Sequence, residues 1–195
     1  AAGFVKKALI VGSECLSKVT DWTDRGTCVL FGDGAGAAVL KAEETGVVDM
    51  LMGSDGTKGP ILSCTSRTLG NFLTGTKPEL GLMTMDGQEV FRFAVKKVPE
   101  SIEILLERNH ISREEIKYYV LHQANERIVE AAARRLKEPM EKFPMTISKY
   151  GNTSSASIPL LLNDMAEKDM LQPGDKIILS GFGAGMTWGA VLMEW

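Results

Sequence analysis

Hydrophobic and polar positions follow two patterns along the chain, and each pattern predicts its own kind of element. Short unbroken apolar runs bounded by glycine or polar residues are typical of buried strands. Such runs predict strands at residues 7–12, 27–31, 37–40, 117–122, 145–150, 176–181 and 188–195. The stretch 41–84 is irregular and rich in glycine, threonine, serine and lysine, and we expect one or two strands within it.

Apolar residues at a spacing of three to four predict helices between these strands. The longest such pattern begins at Asp86 and continues to Arg108. Pro99 lies inside this pattern, and because proline lacks the N–H of a helical hydrogen bond, we expect a kink or a break there. Two further helices are predicted over residues 126–136 and 158–170.

Two segments of the chain repeat one order of features, which is an apolar strand, a glycine-rich turn and a strand of small residues. They are residues 8–43 and 177–195. This similarity of layout predicts two copies of one α/β unit. Helices and strands precede the second copy, whereas the first copy begins almost at its own strand, so we expect the front of the first copy to be missing.

Composition and charge exclude several classes of protein. The 195 residues include 44% hydrophobic and 24% charged residues, which is ordinary for a globular protein, and the net charge of −3 argues against nucleic-acid binding. No apolar run approaches the ~20 residues that span a bilayer, so we expect no membrane partner. Three widely spaced cysteines form no CxxC pair, which favours a reducing cytoplasm over disulfides and predicts no metal site.

Two polar residues follow predicted strands, at the edge where α/β sheets bind ligands. His122 ends the strand 117–122 directly before a helix, and a capping or core role is the alternative to a ligand contact. Asn152 follows the strand 145–150, and its alternative role is an N-cap or Asx turn. The other histidine, His110, is expected at the surface, where its charge suits a helix C-terminus.

Arginines mark one face of the helix that follows His122. Arg127, Arg134 and Arg135 are spaced by seven and eight residues, which places them near one face of a helix. Such a face is usually solvated, but Arg127 has no acidic residue four positions away, which favours an anionic partner.

Two other features have plainer interpretations. The glycine-rich stretch 32–36 is similar to a phosphate-binding loop, but a strand rather than a helix is predicted after it, so a tight turn between buried strands is favoured. None of Cys15, Cys28 and Cys64 follows a glycine-bounded strand-to-helix turn that would activate a thiol, so we interpret all three as packing residues.

Five stretches together resemble the 3-oxoacyl-[acyl-carrier-protein] synthase III enzymes, the condensing enzymes that start bacterial fatty-acid synthesis. They occur in that family's order and cover nearly the whole chain, with residues 55–82 the most divergent. The stretches are DWTDRGTCVLFGDGAGAAVL (21–40), MDGQEVFRFAV (85–95), HQANERI (122–128), KYGNTSSASIPLLL (149–162) and GFGAGMTWGAVL (181–192).

The resemblance implies an α/β, thiolase-like fold of two similar halves in alternating layers of sheet and helix. Residues 1–81 would be the end of the first half, with an irregular excursion, and residues 82–195 a complete second half. Members use a Cys–His–Asn triad whose nucleophilic cysteine lies before the first residue of this chain. His122 and Asn152 match the other two members, so the chain is expected to be a C-terminal part that is inactive alone.

The resemblance also implies the substrates, the partners and the remaining site residues. An acyl-coenzyme A primer and a malonyl acyl carrier protein would be the substrates, no separate cofactor would be needed, and the full enzyme would be a cytoplasmic homodimer. Phe182 and Ala184 would border the reacting acyl group, with Ala184 where many members have glycine. Coenzyme A and its pantetheine arm would contact Arg25, Gly87, Phe91 and Asn125. The carrier protein would contact Gln123, Ala124, Asn125, Glu126, Arg127, Arg92, Arg134 and Arg135.

Two alternatives stay open on the sequence. One is another coenzyme A-dependent enzyme of the thiolase fold, such as a 3-hydroxy-3-methylglutaryl synthase or a plant-type polyketide synthase. The other is a non-catalytic half that serves as an interaction module, which the absence of the nucleophile favours.

Overall fold

A computed structural model describes residues 5–65, 69–78 and 81–195 of the chain. The described residues form eight strands and four α-helices, with five strands before the first α-helix and short 3-10 turns between some of the elements. The strands are β1 (Lys7–Glu14), β2 (Gly34–Lys41), β3 (Val47–Ser54), β4 (Leu62–Cys64), β5 (Met83–Met85), β6 (Ile116–Leu121), β7 (Lys176–Gly183) and β8 (Thr187–Glu194). The helices are α1 (Gly87–Asn109), α2 (Glu126–Leu136), α3 (Ile147–Tyr150) and α4 (Ser157–Glu167).

The largest sheet has the strand order β3-β8-β7-β6. Strands β6 and β7 are parallel, whereas β7 pairs with β8, and β8 with β3, in antiparallel register. Two smaller antiparallel sheets pair β1 with β2 and β4 with β5. The two predicted copies of one layout are therefore both antiparallel pairs of eight-residue strands, β1–β2 and β7–β8.

Both faces of the four-stranded sheet carry apolar side chains, which explains the unbroken apolar runs of β6 and β7. Tyr119 and Ile178 face helices α1 and α2, while Val120 and Ile177 face helix α4, and all four side chains are fully buried. Successive side chains of a strand point to opposite faces, so the runs supply both layers of core. The β1–β2 pair lies beyond α4 and contacts that helix and the turn before it.

Close packing of β1–β2 against α4 requires glycine at particular positions. A Cβ atom at Gly12 would lie 2.5 Å from the carbonyl oxygen of Ser155, and one at Gly36 would lie 2.6 Å from the Cβ of Pro159. Neither distance occurs between real Cβ atoms and their neighbours, so any larger residue would push the two layers apart. The glycines of the stretch 32–36 therefore serve a close approach of backbones.

Helix α1 is continuous over 23 residues, so the helix does not break at Pro99, and the kink considered there stays a prediction. Asp86 caps its first turn by accepting from the N–H groups of Gln88 and Glu89. Proline leaves the carbonyl four residues earlier without its helical donor, and here the Arg135 guanidinium donates to that Val95 oxygen at 3.5 Å.

Three predictions of strands or turns are corrected by the structure. Residues 145–150 contain helix α3 rather than a strand, because the Thr146 carbonyl accepts from the N–H groups of Lys149 and Tyr150. Residues 27–31 form turns rather than a strand, with Leu30 N–H donating to the Thr27 carbonyl. The tight turn predicted over residues 32–36 is in part strand, since β2 begins at Gly34.

Candidate active site

His122 follows the last residue of β6 and turns away from the sheet. Its backbone N–H still donates to the Ser180 carbonyl on β7, at 2.8 Å, which fixes where the side chain leaves the sheet. The Nδ1 atom of the ring lies 2.6 Å from the hydroxyl oxygen of Ser157, the first residue of α4. The Phe182 ring packs edge-on against the imidazole, with 5.5 Å between ring centroids.

Burial lowers the pKa of His122 to about 4, because the protein around the ring cannot solvate an imidazolium. The part of His122 that stays exposed faces two cavities that the residue lines. His122 is therefore neutral at neutral pH and carries a proton on one ring nitrogen. A neutral imidazole can donate one hydrogen bond without losing a charge.

Asn152 is held from both sides by the segment before β2. Its N–H donates to the Leu30 carbonyl at 2.9 Å, and its own carbonyl accepts from Gly32 N–H at 2.9 Å. The side-chain Oδ1 accepts from the N–H of Ser154 at 2.9 Å, so the Asx turn considered as the alternative role does form. That bond uses the amide oxygen and leaves the NH₂ group to donate elsewhere.

His122 and Asn152 line one cavity of about 300 Å³. Phe182, Ala184, Phe91 and Gly87 also line it, together with apolar residues from the part of the chain before Asp86. The cavity thus brings together both predicted triad members, both residues predicted beside the acyl group, and three of the four residues predicted to contact coenzyme A and its pantetheine arm, which are Gly87, Phe91 and Asn125. Its walls are mainly apolar, which strengthens any hydrogen bond made inside.

Ala184 adopts an ordinary backbone conformation. Among the described residues the non-glycine positions with positive φ are His110, Lys137, Ser154 and Asp169, so alanine at 184 is not strained. The positive φ at this turn belongs to the next residue, Gly185, at +131°. Alanine therefore keeps the backbone N–H of that position without the steric penalty that a Cβ causes where φ is positive.

Arg127 and Arg92 lie side by side at a shallow groove beside the cavity. Gly87, Phe91 and Asn125 line the same groove, and Asn125 caps helix α2 through the N–H of Arg127. Arg92 forms an ion pair with Glu89 on its own helix. Arg134, Arg135 and Glu126 are exposed on α2. Arg25 lies in a turn next to Gly26, which lines the cavity although Arg25 does not.

Gln123 does not fit the predicted contact with a carrier protein. The residue is only 1% exposed. Its side-chain NH₂ donates to the Leu121 carbonyl and its Oε1 accepts from Thr146 N–H, so its hydrogen bonds are used inside the protein. Ala124 is buried as well but lines the cavity. The contact with a carrier protein was implied by the resemblance alone, whereas β6 and α3 enclose Gln123.

Ser154 and Ser157 were missed as parts of the site. Both contact the predicted triad residues, through the backbone N–H of Ser154 and the hydroxyl of Ser157. The serine-rich stretch that follows Asn152 was the available signal, but nothing in it distinguishes one serine from another before the chain folds.

Within 5–65, 69–78 and 81–195 no group of three or more His, Cys, Asp or Glu residues is placed to hold a metal ion. None of the described helices combines the length and apolarity that crossing a bilayer would require.

Comparison with known proteins extends over the whole chain. The family model described as 3-oxoacyl-[acyl-carrier-protein] synthase III matches residues 1–56, and the model of the C terminal of the same synthase matches residues 106–195. The chain is 49% identical over 196 aligned residues to the beta-ketoacyl-[acyl-carrier-protein] synthase III of Clostridium novyi, covering 100% of this chain and 60% of that protein.

Solved structures of such synthases have the same fold. The synthase III from Pseudomonas aeruginosa PAO1 superposes with a TM-score of 0.90 at 38% identity, over 100% of this chain and 59% of that one. The enzyme from Thermus thermophilus gives 0.89 at 41% identity, over 100% and 60%. The chain therefore has the thiolase-like α/β fold and spans about 60% of the length of the relatives it matches. By sequence, by fold and by the position of its motifs, the chain belongs to the 3-oxoacyl-[acyl-carrier-protein] synthase III family.

Proposed function

We propose that this chain is part of an acyltransferase that condenses an acyl-coenzyme A primer with malonyl acyl carrier protein to give 3-oxoacyl carrier protein. Two observations support the proposal. One is the membership of the chain in the synthase III family, and the other is the cavity that His122 shares with Asn152. The second carries more weight for the chemistry, because the reaction needs hydrogen-bond donors at a single point in an apolar space.

The reaction proceeds in two halves. A cysteine thiolate first attacks the acyl thioester carbonyl, the bond to the sulfur of coenzyme A breaks, and coenzyme A leaves as its thiolate. The malonyl thioester then loses carbon dioxide, and the electron pair of the broken bond forms an enolate. The enolate carbon attacks the acyl-enzyme carbonyl and expels the cysteine thiolate, which completes the new carbon–carbon bond.

His122 and Asn152 are assigned to the second half. Negative charge collects on the thioester oxygen of the enolate, and a neutral imidazole N–H and an amide N–H can both donate to it. Neither group is consumed, and removal of one such donor typically lowers the rate ~10²–10³-fold. The pKa of His122 near 4 supports this role, because the imidazole stays neutral at the pH of the cell.

The test is to assay each half-reaction in a complete synthase that carries this chain. His122→Ala and Asn152→Ala are expected to suppress decarboxylation ~10²–10³-fold and to change acyl transfer to cysteine far less. Asn152→Asp keeps the Oδ1 acceptor of the Ser154 N–H but loses the donor, so it should resemble Asn152→Ala. Equal losses in both half-reactions would refute the assignment.

We further propose that the nucleophile is none of the cysteines of this chain. The Cys15 thiol donates to Oδ2 of Asp33 at 3.4 Å, and the Cys64 thiol, although it lines the cavity, donates to the Gly81 carbonyl at 3.4 Å, so neither thiol bonds to His122. The 195-residue chain alone should not turn over acetyl-coenzyme A and malonyl carrier protein. Inactivation by iodoacetamide in a complete synthase should map outside Cys15, Cys28 and Cys64.

Arg127, with Arg92, Arg134 and Arg135, is proposed to form the docking surface for an acidic carrier protein. Arg127 and Arg92 border the groove that adjoins the cavity, where the arm of a docked carrier would enter. The other proposed substrate contacts are Arg25 and Asn125 for coenzyme A. Arg127→Glu should raise the apparent KM for malonyl carrier protein, most at low salt, and spare acyl transfer from coenzyme A.

The control for that variant is Lys168→Glu, which carries the same change of charge at an exposed position just after α4. It should leave both KM values near those of the unmodified enzyme. If Arg127→Glu impairs both substrates alike, the residue does not dock the carrier protein.

The homodimer, the cytoplasmic location and the division of the chain between residues 81 and 82 remain predictions. Two strand pairings cross that division, since β3 pairs with β8 and β4 pairs with β5. The two halves therefore share sheet structure across the proposed division.

A further inference from the structure

Ser157 is the nearest polar neighbour of the His122 ring. It is 2% exposed, and its hydroxyl oxygen lies 2.6 Å from Nδ1 of His122. The backbone N–H of Gln123 also donates to this oxygen, at 3.4 Å. The hydroxyl therefore already accepts one hydrogen bond, and its own hydrogen must find an acceptor inside the protein.

The two tautomers of His122 differ in whether they provide an acceptor for the hydroxyl hydrogen of Ser157. If Nδ1 carries the imidazole proton, Nδ1 donates to Ser157, and the buried hydroxyl hydrogen has no acceptor among its described contacts. If Nε2 carries the proton, Nδ1 is an acceptor and the Ser157 hydroxyl donates to it. The second arrangement satisfies both Nδ1 and the Ser157 hydroxyl, and an unsatisfied buried hydroxyl is penalised.

We propose that Ser157 is a positioning residue, which fixes His122 in the tautomer with the proton on Nε2 and so makes the histidine a hydrogen-bond donor in the cavity. In the described part of the chain Nε2 has no protein partner, so its N–H is free for a ligand. The oxygen acceptor assigned to this N–H rests on the proposed function, whereas the tautomer itself does not.

The same arrangement holds at the second residue. The backbone N–H of Ser154 occupies Oδ1 of Asn152 and leaves the amide NH₂ as the free end. Ser154 reaches this position with φ of +49°, a conformation that is uncommon outside glycine. One stretch of chain, residues 154–157, thus fixes the polarity of both triad residues, and both then face the cavity as donors.

The test is ¹⁵N NMR of the histidine side chains of the 195-residue chain near pH 7, where His122 is neutral. The unmodified chain should show Nε2 of His122 as the protonated nitrogen and Nδ1 as the unprotonated one. This spectrum decides the tautomer without any variant. A protonated Nδ1 would overturn the proposal.

Substitutions then identify the residue responsible. Ser157→Ala should bring the two nitrogen shifts toward each other, since both tautomers become populated, and Ser157→Thr should restore the original difference. The matched control is Ser155→Ala, because Ser155 is exposed and bonds to Glu14 rather than to the histidine. If Ser157→Ala leaves the nitrogen shifts unchanged, Ser157 does not set the tautomer.

A second measurement separates this inference from the proposed function. In a complete synthase, Ser157→Ala should lower decarboxylation about tenfold, less than removal of the donor itself, with recovery in Ser157→Thr. If the nitrogen shifts are as expected but His122→Ala has no effect on decarboxylation, the tautomer is established and the proposed function is refuted. If Ser157→Ala leaves the nitrogen shifts unchanged but His122→Ala strongly lowers decarboxylation, the positioning role of Ser157 is refuted and the proposed function is supported.

Discussion

The chain before Asp86 and the chain after it place their apolar side chains differently. Among the described residues, every buried hydrophobic side chain lies between Val90 and Leu192. In the earlier region, strand β1 exposes Leu9 and Val11, strand β2 exposes Val39, and β3 exposes Met52. The later region thus contains its own core, whereas the described part of the earlier region contributes no buried hydrophobic side chain.

The active site depends on both regions. His122 lies in the later region, on a sheet edge built by its own core. Asn152 is also there, but its backbone is paired with Leu30 and Gly32 of the earlier region. The later region therefore supplies the two proposed triad residues, and the earlier region completes the walls of the cavity and fixes the backbone position of Asn152.

The largest expected effect contrasts one residue type in the two regions. Leu105 of α1 is fully buried, and Leu9 of β1 is 67% exposed. Leu105→Ala should lower the free energy of unfolding by ~2–5 kcal/mol, since it leaves a cavity. Leu9→Ala should change it by less than about 0.5 kcal/mol. Urea unfolding of both variants measures this, and equal losses would contradict the comparison.

The next effect is a pH dependence that comes from enclosure of His122. Its pKa is lowered from 6.5 to about 4, so the unfolded chain binds the proton more readily than the folded one. Stability is full above pH 6.5 and is lost as pH falls toward 4, by up to about 3 kcal/mol. Unfolding at pH 5 and pH 7 tests this.

Variants of the two histidines assign that pH dependence. His122→Asn should reduce the difference in stability between pH 5 and pH 7. His110→Asn is the matched control, since His110 is exposed at the end of α1 and asparagine tolerates its positive φ. A difference that survives in His122→Asn would mean that another group titrates.

A smaller effect should follow from separating β1 from the later region. Gly12→Ala places a Cβ against the Ser155 carbonyl and should lower the free energy of unfolding by ~1–3 kcal/mol. Gly56→Ala is the control, because a Cβ there has no neighbour within 4 Å. Amide hydrogen exchange should accelerate in β1 and β2 of Gly12→Ala alone. Unchanged exchange would show that the contact is loose.

The smallest effect concerns the attachment of β3 to α1. The Asp49 carboxylate accepts from Arg108 Nε and Asn109 Nδ2, both at 2.7 Å, and the Arg108 bond is the main cause of its lowered pKa. Because its pKa is lowered in the folded chain, the ionised carboxylate stabilises the fold at pH values above 3.8, the ordinary pKa of the group. This stabilisation is lost as the pH falls through the lower pKa of the folded state.

Asp49→Asn should therefore lower the Tm slightly at pH 7, and its difference from the unmodified chain should vanish in acid. Glu43→Gln is the control, because Glu43 pairs with Lys41 of its own region. A Tm difference for Asp49→Asn that persists in acid would show that the charge is not what attaches β3.

The sequence by itself determined the α/β class and the family, and it predicted which two residues belong to the proposed triad. Apolar runs predicted β1, β6, β7 and β8, and the three-to-four spacing predicted α1, α2 and α4. These signals are local, because periodicity reports which face of an element is buried. The motif around His122 is local in the same sense, since it joins a strand end to a helix start.

Only the tertiary structure decided the rest. The continuity of α1 through Pro99 and the burial of Gln123 depend on partners distant in the chain. The tautomer of His122 also depends on a distant partner, because Ser157, whose hydroxyl bonds to Nδ1 of the ring, lies 35 positions away in the chain. A polar side chain takes its role from the groups that satisfy its hydrogen bonds, and those groups meet only after the sheet and α4 have packed.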